Sequence, residues 1–181
     1  MPLADPSGAG APIILTALMG AEDFAWADAL RRAHFPPERN RVPAHVTLFH
    51  HLPPSLLPEL SARMKQLCAA SPPLAMIDGV RMLGRGVAFD LRSDGLLVIW
   101  DELAHAFTGL LTPQDQARPR FHITVQNKVE PAIARTLAEQ LKADFRPRQL
   151  RIAGLAAWHY REDGSWDLAK KTSFRSARIR T

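Results

Sequence analysis

The sequence is poor in cysteine: Cys68 is the single one among 181 residues. One cysteine cannot form an internal disulfide or supply a cysteine-based zinc cluster, so both kinds of stabilised small domain are excluded. A lone thiol fits a reducing compartment, and we therefore expect a cytoplasmic protein. Because Cys68 lies in an apolar-patterned segment, we expect it to pack in the core rather than act as a nucleophile.

Long apolar runs are missing as well. No stretch approaches the roughly 20 residues of a membrane-spanning helix, and residues 1–12 lack the basic and apolar segments of a secretory signal. We expect no membrane partner and interpret residues 1–12, rich in Pro, Gly and Ala, as a flexible leader. We expect residues 13–181 to form a single domain built of two similar lobes, and we expect the protein to be a monomer.

Positive charge exceeds negative charge, with a formal net charge of +5 and an isoelectric point near 10.0. Net charge informs about partners rather than about fold. The excess favours a polyanionic or phosphorylated substrate. A generic basic surface is an equally good interpretation of a charge this small.

The chain contains the triplet His-x-Thr twice, as His45-Val46-Thr47 and His122-Ile123-Thr124. Residues two apart in a strand point to the same face, so each His is expected beside its Thr hydroxyl. The middle residue of each triplet turns to the opposite face, where a core can bury it. Two such strands side by side would present two imidazoles and two hydroxyls to one small space.

The resemblance between the two copies extends beyond the triplets. When the chain is shifted by 77 positions, residues 36–64 align with residues 113–141 without a gap, with six identities that include a Pro, an Arg, the His and the Thr in the same order. Self-similarity of this kind indicates a duplicated unit. A duplicated unit packed with pseudo-two-fold symmetry would bring its two equivalent His residues together.

Periodicity and turn signals predict an α+β fold. Strands are predicted at Ile13–Met19, Val42–Leu52, Met76–Leu83, Gly86–Arg92, Arg120–Val129, Leu150–Tyr160 and Ser165–Phe174. Helices are predicted at Glu22–His34, Leu56–Ala70, Leu96–Leu111 and Pro131–Phe145. This order describes two small antiparallel sheets that face a central cleft, with the helices outside.

The paired triplets suit acid–base chemistry on a phosphodiester. One group must deprotonate the attacking water or hydroxyl while another protonates the departing oxygen, and imidazoles titrate in the right range for both tasks. Thr hydroxyls can donate hydrogen bonds to the phosphoryl oxygens. The spacing does not say which His is the acid and which is the base.

These motifs, on strands in two halves of a chain of this length, resemble the 2H phosphoesterase superfamily, and within it the bacterial 2′-5′ RNA ligase or RNA 2′,3′-cyclic phosphodiesterase group. The resemblance implies that His45 and His122 are the catalytic pair and that Thr47 and Thr124 bind the phosphate. It implies no metal and no cofactor. The expected substrates are RNA ends or small nucleotide phosphodiesters. Where family members carry Ala-Arg after the second motif, this chain has Gln126-Asn127-Lys128.

Other residues are candidates for substrate contacts. Lys128 lies at an even spacing from His122 and Thr124, which would place it on their face as a phosphate ligand; a solvated Lys is the alternative. Arg41 and Arg118 each precede a motif by four residues and are candidates for the mouth of the cleft. The aromatic residues expected either to stack on a base or to pack in the core are Trp158, Tyr160 and Phe89.

Two alternatives to a metal-independent phosphoesterase remain open at this point. A non-catalytic RNA-binding module would keep the cleft without turnover. A metal-dependent hydrolase would use the His50-His51 pair, of which His51 is expected on the face of His45, together with a carboxylate.

Overall fold

A computed structural model describes residues 10–175 of the chain. Residues 1–9 of the predicted leader lie outside the described residues. The strands are β1 (Ile13–Met19), β2 (Val46–Leu52), β3 (Leu74–Met82), β4 (Val87–Arg92), β5 (His122–Gln126), β6 (Arg148–Tyr160) and β7 (Trp166–Ser173). The helices are α1 (Ala21–His34), α2 (Leu57–Leu67), α3 (Asp94–Ala106), α4 (Pro113–Gln116) and α5 (Pro131–Ala143).

The α+β class is confirmed, and every predicted strand and helix has an observed counterpart. The short helix α4 was not predicted. Its sequence signal is local, because Thr112 accepts a hydrogen bond from the N–H of Asp115 and Pro113 occupies the first turn. The predicted third helix ends early, at Ala106, and Gly109 follows it with a φ of 83°.

The two motif strands are shorter than predicted. Residues 42–45 do not join the sheet: Pro43 has no N–H to donate, and the N–H of Ala44 donates to the carboxylate of Asp28 on α1 at 3.0 Å. The second strand ends at Gln126 because Lys128 adopts a φ of 62°. The Asn127 side chain accepts the N–H of Lys128 and stabilises this turn.

All strand pairs are antiparallel, and the strands follow the order β2-β1-β6-β3-β4-β5, with β7 also paired to β6. The long strand β6 joins two groups of strands. Its first residues, Arg148–Arg151, pair with β3, whereas the residues from Ile152 onward pair with β1 and β7. The two predicted sheets are thus continuous through a shared strand.

The two motif strands, β2 and β5, form the opposite ends of this strand order, yet they approach each other, with Cα atoms within 8 Å. The sheet is therefore strongly curved. Helix α1, which follows β1, packs on β5. Helix α4, which precedes β5, packs on β2. Each helix therefore contacts the motif strand of the other half of the chain.

A continuous hydrophobic core contains residues from both halves, with Phe49, Leu48 and Ile123 almost fully buried. Cys68 belongs to this core, and burial raises the pKa of its thiol to about 11. The prediction that Cys68 packs rather than reacts agrees with this environment. None of the helices within residues 10–175 is both long enough and apolar enough to cross a membrane.

The buried carboxylate of Asp115 ties α4 to β2. Its oxygens accept the N–H groups of His50 and His51 at 2.8 Å each and contact Nδ1 of His50 at 3.1 Å. Although burial acts to raise it, these hydrogen bonds hold the pKa of Asp115 below its usual value. The carboxylate is therefore an anion at neutral pH, and it satisfies two N–H groups at the outer edge of β2.

We expect Asp115→Asn to lower the free energy of unfolding at pH 7 by about 1–3 kcal/mol, because the side chain loses its negative charge and one of its two acceptor oxygens becomes an NH₂ donor that faces the groups of β2. Urea denaturation measures the difference. Because the pKa of Asp115 is lowered in the folded protein, its contribution is present above the unfolded-state pKa and is lost as the pH falls further, so wild type and variant should converge at low pH. The exposed Asp101→Asn on α3 is the matched control; an equal loss in both variants would contradict this role for Asp115.

Candidate functional site

Each His-x-Thr triplet has the alternation expected of a strand. His45 and Thr47 are partly exposed, whereas Val46 between them is completely buried. His122 and Thr124 are likewise partly exposed around a buried Ile123. Each imidazole and its Thr hydroxyl therefore share a face, because hydrophobic burial of the middle residue fixes the orientation of the strand.

Both strands carry a β-bulge at the same position of the repeat. In β2, Thr47 pairs with Thr16 and Phe49 pairs with Leu15, which leaves Leu48 without a partner. In β5, Thr124 pairs with Ala88 and Gln126 pairs with Val87, which leaves Val125 without a partner. Leu48 and Val125 are 77 positions apart, so the structural duplication matches the sequence duplication.

The bulges change which residues follow Thr on the face of the site. An extra residue shifts the alternation by one, and two consecutive residues are accordingly buried in each strand, Leu48-Phe49 and Val125-Gln126. The next residues on the face of the motifs are therefore His50 in the first copy and Asn127 in the second. The electrostatics agrees, because the charge of His50 lowers the pKa of both His45 and His122.

Two sequence predictions assumed uninterrupted alternation and need correction. Lys128 was expected on the face of His122 and Thr124 through strand alternation, but it lies beyond the end of β5 in a left-handed turn, so that alternation does not extend to it; its contact with a phosphate stays a prediction. His51 was expected on the face of His45, but after the bulge at Leu48 regular alternation gives this place to His50, and a second register shift between Phe49 and Leu52 leaves both His50 and His51 exposed. Sequence alone gives no reliable sign of a bulge at an apolar pair, because such pairs also occur in buried unbulged strands.

The two imidazoles are held in the same way. Nδ1 of His45 lies 2.7 Å from the carbonyl oxygen of Pro43, and Nδ1 of His122 lies 2.8 Å from the carbonyl oxygen of Arg120. A carbonyl oxygen only accepts, so each Nδ1 carries the proton and donates it. In the neutral ring, Nε2 is then an unprotonated acceptor, available to take a proton from a substrate or water.

Burial shifts both imidazoles toward the neutral form. It lowers the pKa of His45 to about 4, against the hydrogen bond to Pro43, and the charges of Arg31 and His122 act in the same direction as burial. Burial also lowers the pKa of His122, while the hydrogen bond to Arg120 opposes the shift. The charge of His122 is one of the causes that lower the pKa of His45.

Arg31 is a component of this region that sequence reasoning missed. Its side chain is almost fully buried, and its guanidinium donates to the carbonyl oxygen of Thr124 at 3.0 Å and to the side chain of Asn40 at 2.8 Å. The guanidinium also lies 4.2 Å from the centre of the Phe35 ring. Arg31 thus connects α1 to the second motif strand. The only sequence signal was its place in the last turn of a predicted helix, where basic residues are common.

The surroundings of the two imidazoles differ. The ring of His45 packs against Trp166 of β7, with ring centres 4.6 Å apart. His122 pairs across the sheet with Asp90, which forms ion pairs with Arg81 at 3.1 Å and with Arg120 at 3.0 Å. His45 therefore has an aromatic neighbour and His122 an ionic one, so the two copies of the repeat differ around the same motif.

The remaining candidates occupy varied places. Trp158 and Arg41 line a cavity together with His45. Phe89 is buried in the core, which favours the packing interpretation, and Tyr160 is exposed at the end of β6. Arg118 is exposed and does not line this cavity.

Among the described residues, the His50-His51 pair forms no cluster of metal-ligating side chains. Within residues 10–175 no group of three or more His, Cys, Asp or Glu side chains is close enough to hold a metal ion. His50 instead contacts the carboxylate of Asp115, which also binds the two N–H groups of this segment. The Asp115 carboxylate therefore has a structural role in positioning His50.

Taken together, two imidazoles with lowered pKa values and two hydroxyls lie on or next to the strands β2 and β5, which approach each other, and the buried guanidinium of Arg31 contacts β5 from α1. Imidazoles with free Nε2 atoms can exchange protons with a bound ester, and Thr hydroxyls can donate to its anionic oxygens. The arrangement suits proton transfer at a phosphate ester.

Comparisons with solved structures show the same fold in other proteins. TT0787 of Thermus thermophilus aligns with a TM-score of 0.60 at 18% identity, covering 92% of this chain and 100% of that one. Escherichia coli LigT complexed with 3′-AMP aligns with a TM-score of 0.60 at 16% identity, and LigT complexed with phosphate with 0.56 at 18%. Both LigT alignments cover 92% of this chain and 99% of LigT. No curated protein matches the chain.

The family assignment comes from the sequence itself. The family model described as the 2′-5′ RNA ligase superfamily matches residues 20–164, which contain both motif strands and the helices that position them. The match covers most of the chain and agrees with the fold shared with LigT and TT0787. The chain therefore belongs to the 2′-5′ RNA ligase superfamily of 2H phosphoesterases.

Proposed function

We propose that the protein is a phosphoesterase that hydrolyses 2′,3′-cyclic phosphodiesters of RNA ends or nucleotides, and cleaves or forms 2′-5′ linkages, by acid–base catalysis with His45 and His122. One observation carries the proposal: both imidazoles donate Nδ1–H to a backbone carbonyl and so keep Nε2 free. Membership of the family supports phosphoester chemistry. LigT, which has the same fold, has been crystallised with phosphate and with 3′-AMP, which supports a nucleotide substrate.

In this proposal the two His residues move one proton each. The neutral imidazole takes a proton at Nε2 from water as the water oxygen forms its bond to phosphorus. The protonated imidazole gives its Nε2 proton to the ribose oxygen as the bond from that oxygen to phosphorus breaks. The product is a phosphomonoester, and each His is left in the protonation state that the other had before.

Thr47 and Thr124 are proposed to bind the non-bridging oxygens of the phosphate. Their hydroxyls lie on the same faces as the imidazoles, so one phosphate between β2 and β5 would meet all four side chains. Arg31 is buried behind Thr124 and adds a fixed positive charge to this region. These groups stabilise the charge that develops on the phosphoryl oxygens without rearranging during the reaction.

We expect His45→Ala and His122→Ala each to lower kcat/KM for a 2′,3′-cyclic nucleotide by about 10²–10⁴-fold, the usual contribution of a general acid or base. The double variant should be little worse than either single variant, because the two act as a unit. The exposed His105→Ala on α3 serves as the control. Steady-state assays should be run with and without EDTA.

The alternatives predict other results in the same assays. RNA binding by the wild-type protein without turnover of any of these phosphodiesters would favour a binding module. Activity that survives loss of either His but disappears with EDTA would favour a metal-dependent hydrolase.

The proposed phosphate contacts predict a smaller effect from the hydroxyls. Thr47→Ala or Thr124→Ala should reduce kcat by about 10- to 1000-fold, the range for removing one donor to a developing oxyanion. Thermal unfolding should change little, since both hydroxyls lie outside the core. Thr136→Ala, on the exposed face of α5, is the matched control. Unchanged kinetics in both motif variants would reduce the hydroxyls to a structural role.

The lowered pKa values predict an acidic optimum for kcat/KM, which reports the free enzyme. One His must be neutral and the other protonated, so the profile should be bell-shaped, with both limbs below about pH 6.5. Above both pKa values the acid is missing, and below both the base is missing. Because a bound phosphate anion raises the pKa of both imidazoles, the optimum of kcat should lie at higher pH. A kcat/KM that rises steadily from pH 5 to pH 8 would contradict this.

A further inference from the structure

We propose that the cavity beside His45 binds the nucleobase of a second nucleotide, so that the preferred substrate is at least a dinucleotide rather than a cyclic mononucleotide. This inference rests on the proposed function, because it assigns the neighbouring nucleotide of the same substrate.

The cavity has a volume of about 390 Å³ and lies along β1 and β7 and the segment that precedes β2. Its wall includes His45 but none of Thr47, His122 and Thr124. The cavity therefore adjoins the proposed phosphate site on one side without being part of it. Its volume falls within the range of pockets that bind small organic ligands, and it exceeds what a phosphate group alone would need.

Two indole rings form part of the wall and are held in place. Trp158 donates from Nε1 to the buried hydroxyl of Thr16 at 2.8 Å. Trp166 neighbours both Trp158 and the catalytic candidate His45, with ring centres 6.3 Å and 4.6 Å away, respectively. Flat rings with fixed orientation are suited to stacking on a base, and every base offers a face for such stacking.

The charges of the wall point to a nucleotide rather than to a neutral apolar ligand. Arg41 and Lys171 both line the cavity. Within residues 10–175 neither side chain has a carboxylate oxygen within ion-pair distance. A cyclic mononucleotide has one phosphate, which the imidazoles and Thr hydroxyls would already bind, so both cations would be unused. A second nucleotide brings a further phosphate to them.

The test compares two substrates that differ by one nucleotide: adenosine 2′,3′-cyclic phosphate, and adenylyl-adenosine with a terminal 2′,3′-cyclic phosphate. We expect wild-type kcat/KM to be at least about tenfold higher for the dinucleotide, given the usual contribution of stacking one base on an aromatic ring. Equal values for the two substrates would overturn the inference and leave the proposed function intact.

A variant that fills the cavity locates the effect. Ser173 is exposed on β7 and lines the cavity, so Ser173→Phe should narrow it and reduce the ratio of the two kcat/KM values to near one. Ser71→Phe makes the same change at an exposed residue outside the cavity and should keep the wild-type ratio. If Ser173→Phe lowers both kcat/KM values equally, the cavity binds the base of the reacting nucleotide, and the inference is wrong.

A second pair of variants tests the same inference if Ser173→Phe does not fold. Lys171→Glu should reduce the preference for the dinucleotide several-fold, whereas Lys170→Glu, a neighbour outside the cavity, should not. Loss of the preference in both variants would mean that net charge, rather than the cavity, causes it.

Binding separates this inference from the proposed function. Calorimetry with adenylyl-adenosine 2′-phosphate should give a Kd at least about tenfold weaker for Ser173→Phe than for wild type. If neither cyclic substrate is turned over but this binding difference is found, the proposed function fails and the cavity assignment stands. If the dinucleotide does not bind the wild-type protein, the cavity assignment fails.

Discussion

The candidate site depends on the approach of β2 and β5, which are the two ends of the strand order. Antiparallel strands at opposite ends of a sheet do not meet unless the sheet curves and something holds its ends together. Buried polar contacts help to do this. Arg31 reaches from α1 to the carbonyl oxygen of Thr124, and Asp115 reaches from α4 to the N–H groups of His50 and His51. Because unpaired buried polar groups are costly, these contacts favour the closed arrangement over alternatives that break them.

Within that arrangement, the duplicated bulge decides which side chains meet. Leu48 and Val125 each occupy an extra place in their strand, and the alternation shifts at the same point in both copies. In regular strands, the next residues on the face of the motifs after Thr47 and Thr124 would be Phe49 and Gln126. The bulges bury these two residues, and His50 and Asn127 follow them instead. The symmetry of the backbone is retained, while the side chains around it have diverged. Trp166 adjoins His45, whereas Asp90 and its arginine partners adjoin His122.

The same closure determines the protonation of the imidazoles. Burial between two strands, together with the charge of Arg31 near His45, favours the neutral ring, although acid–base catalysis needs one ring protonated. A phosphate anion bound between the imidazoles would offset this by stabilising the positive form. Substrate binding and proton uptake are then coupled in the proposed reaction. The catalytic protonation state would be assembled only when a phosphate is present.

The sequence by itself determined the α+β class, the approximate place of every strand and long helix, and the two motifs with their buried middle residues. Alternation, helical periodicity and the 77-residue repeat are local or repeated patterns, so a linear reading can find them. Tertiary structure decided the contacts of Arg31 and Asp115, the bulge that precedes His50 and the left-handed turn at Lys128 that ends β5. The reason is physical: a bulge changes the phase of a strand without a distinctive residue type, and a buried ion contact joins residues whose separation in sequence carries no signal.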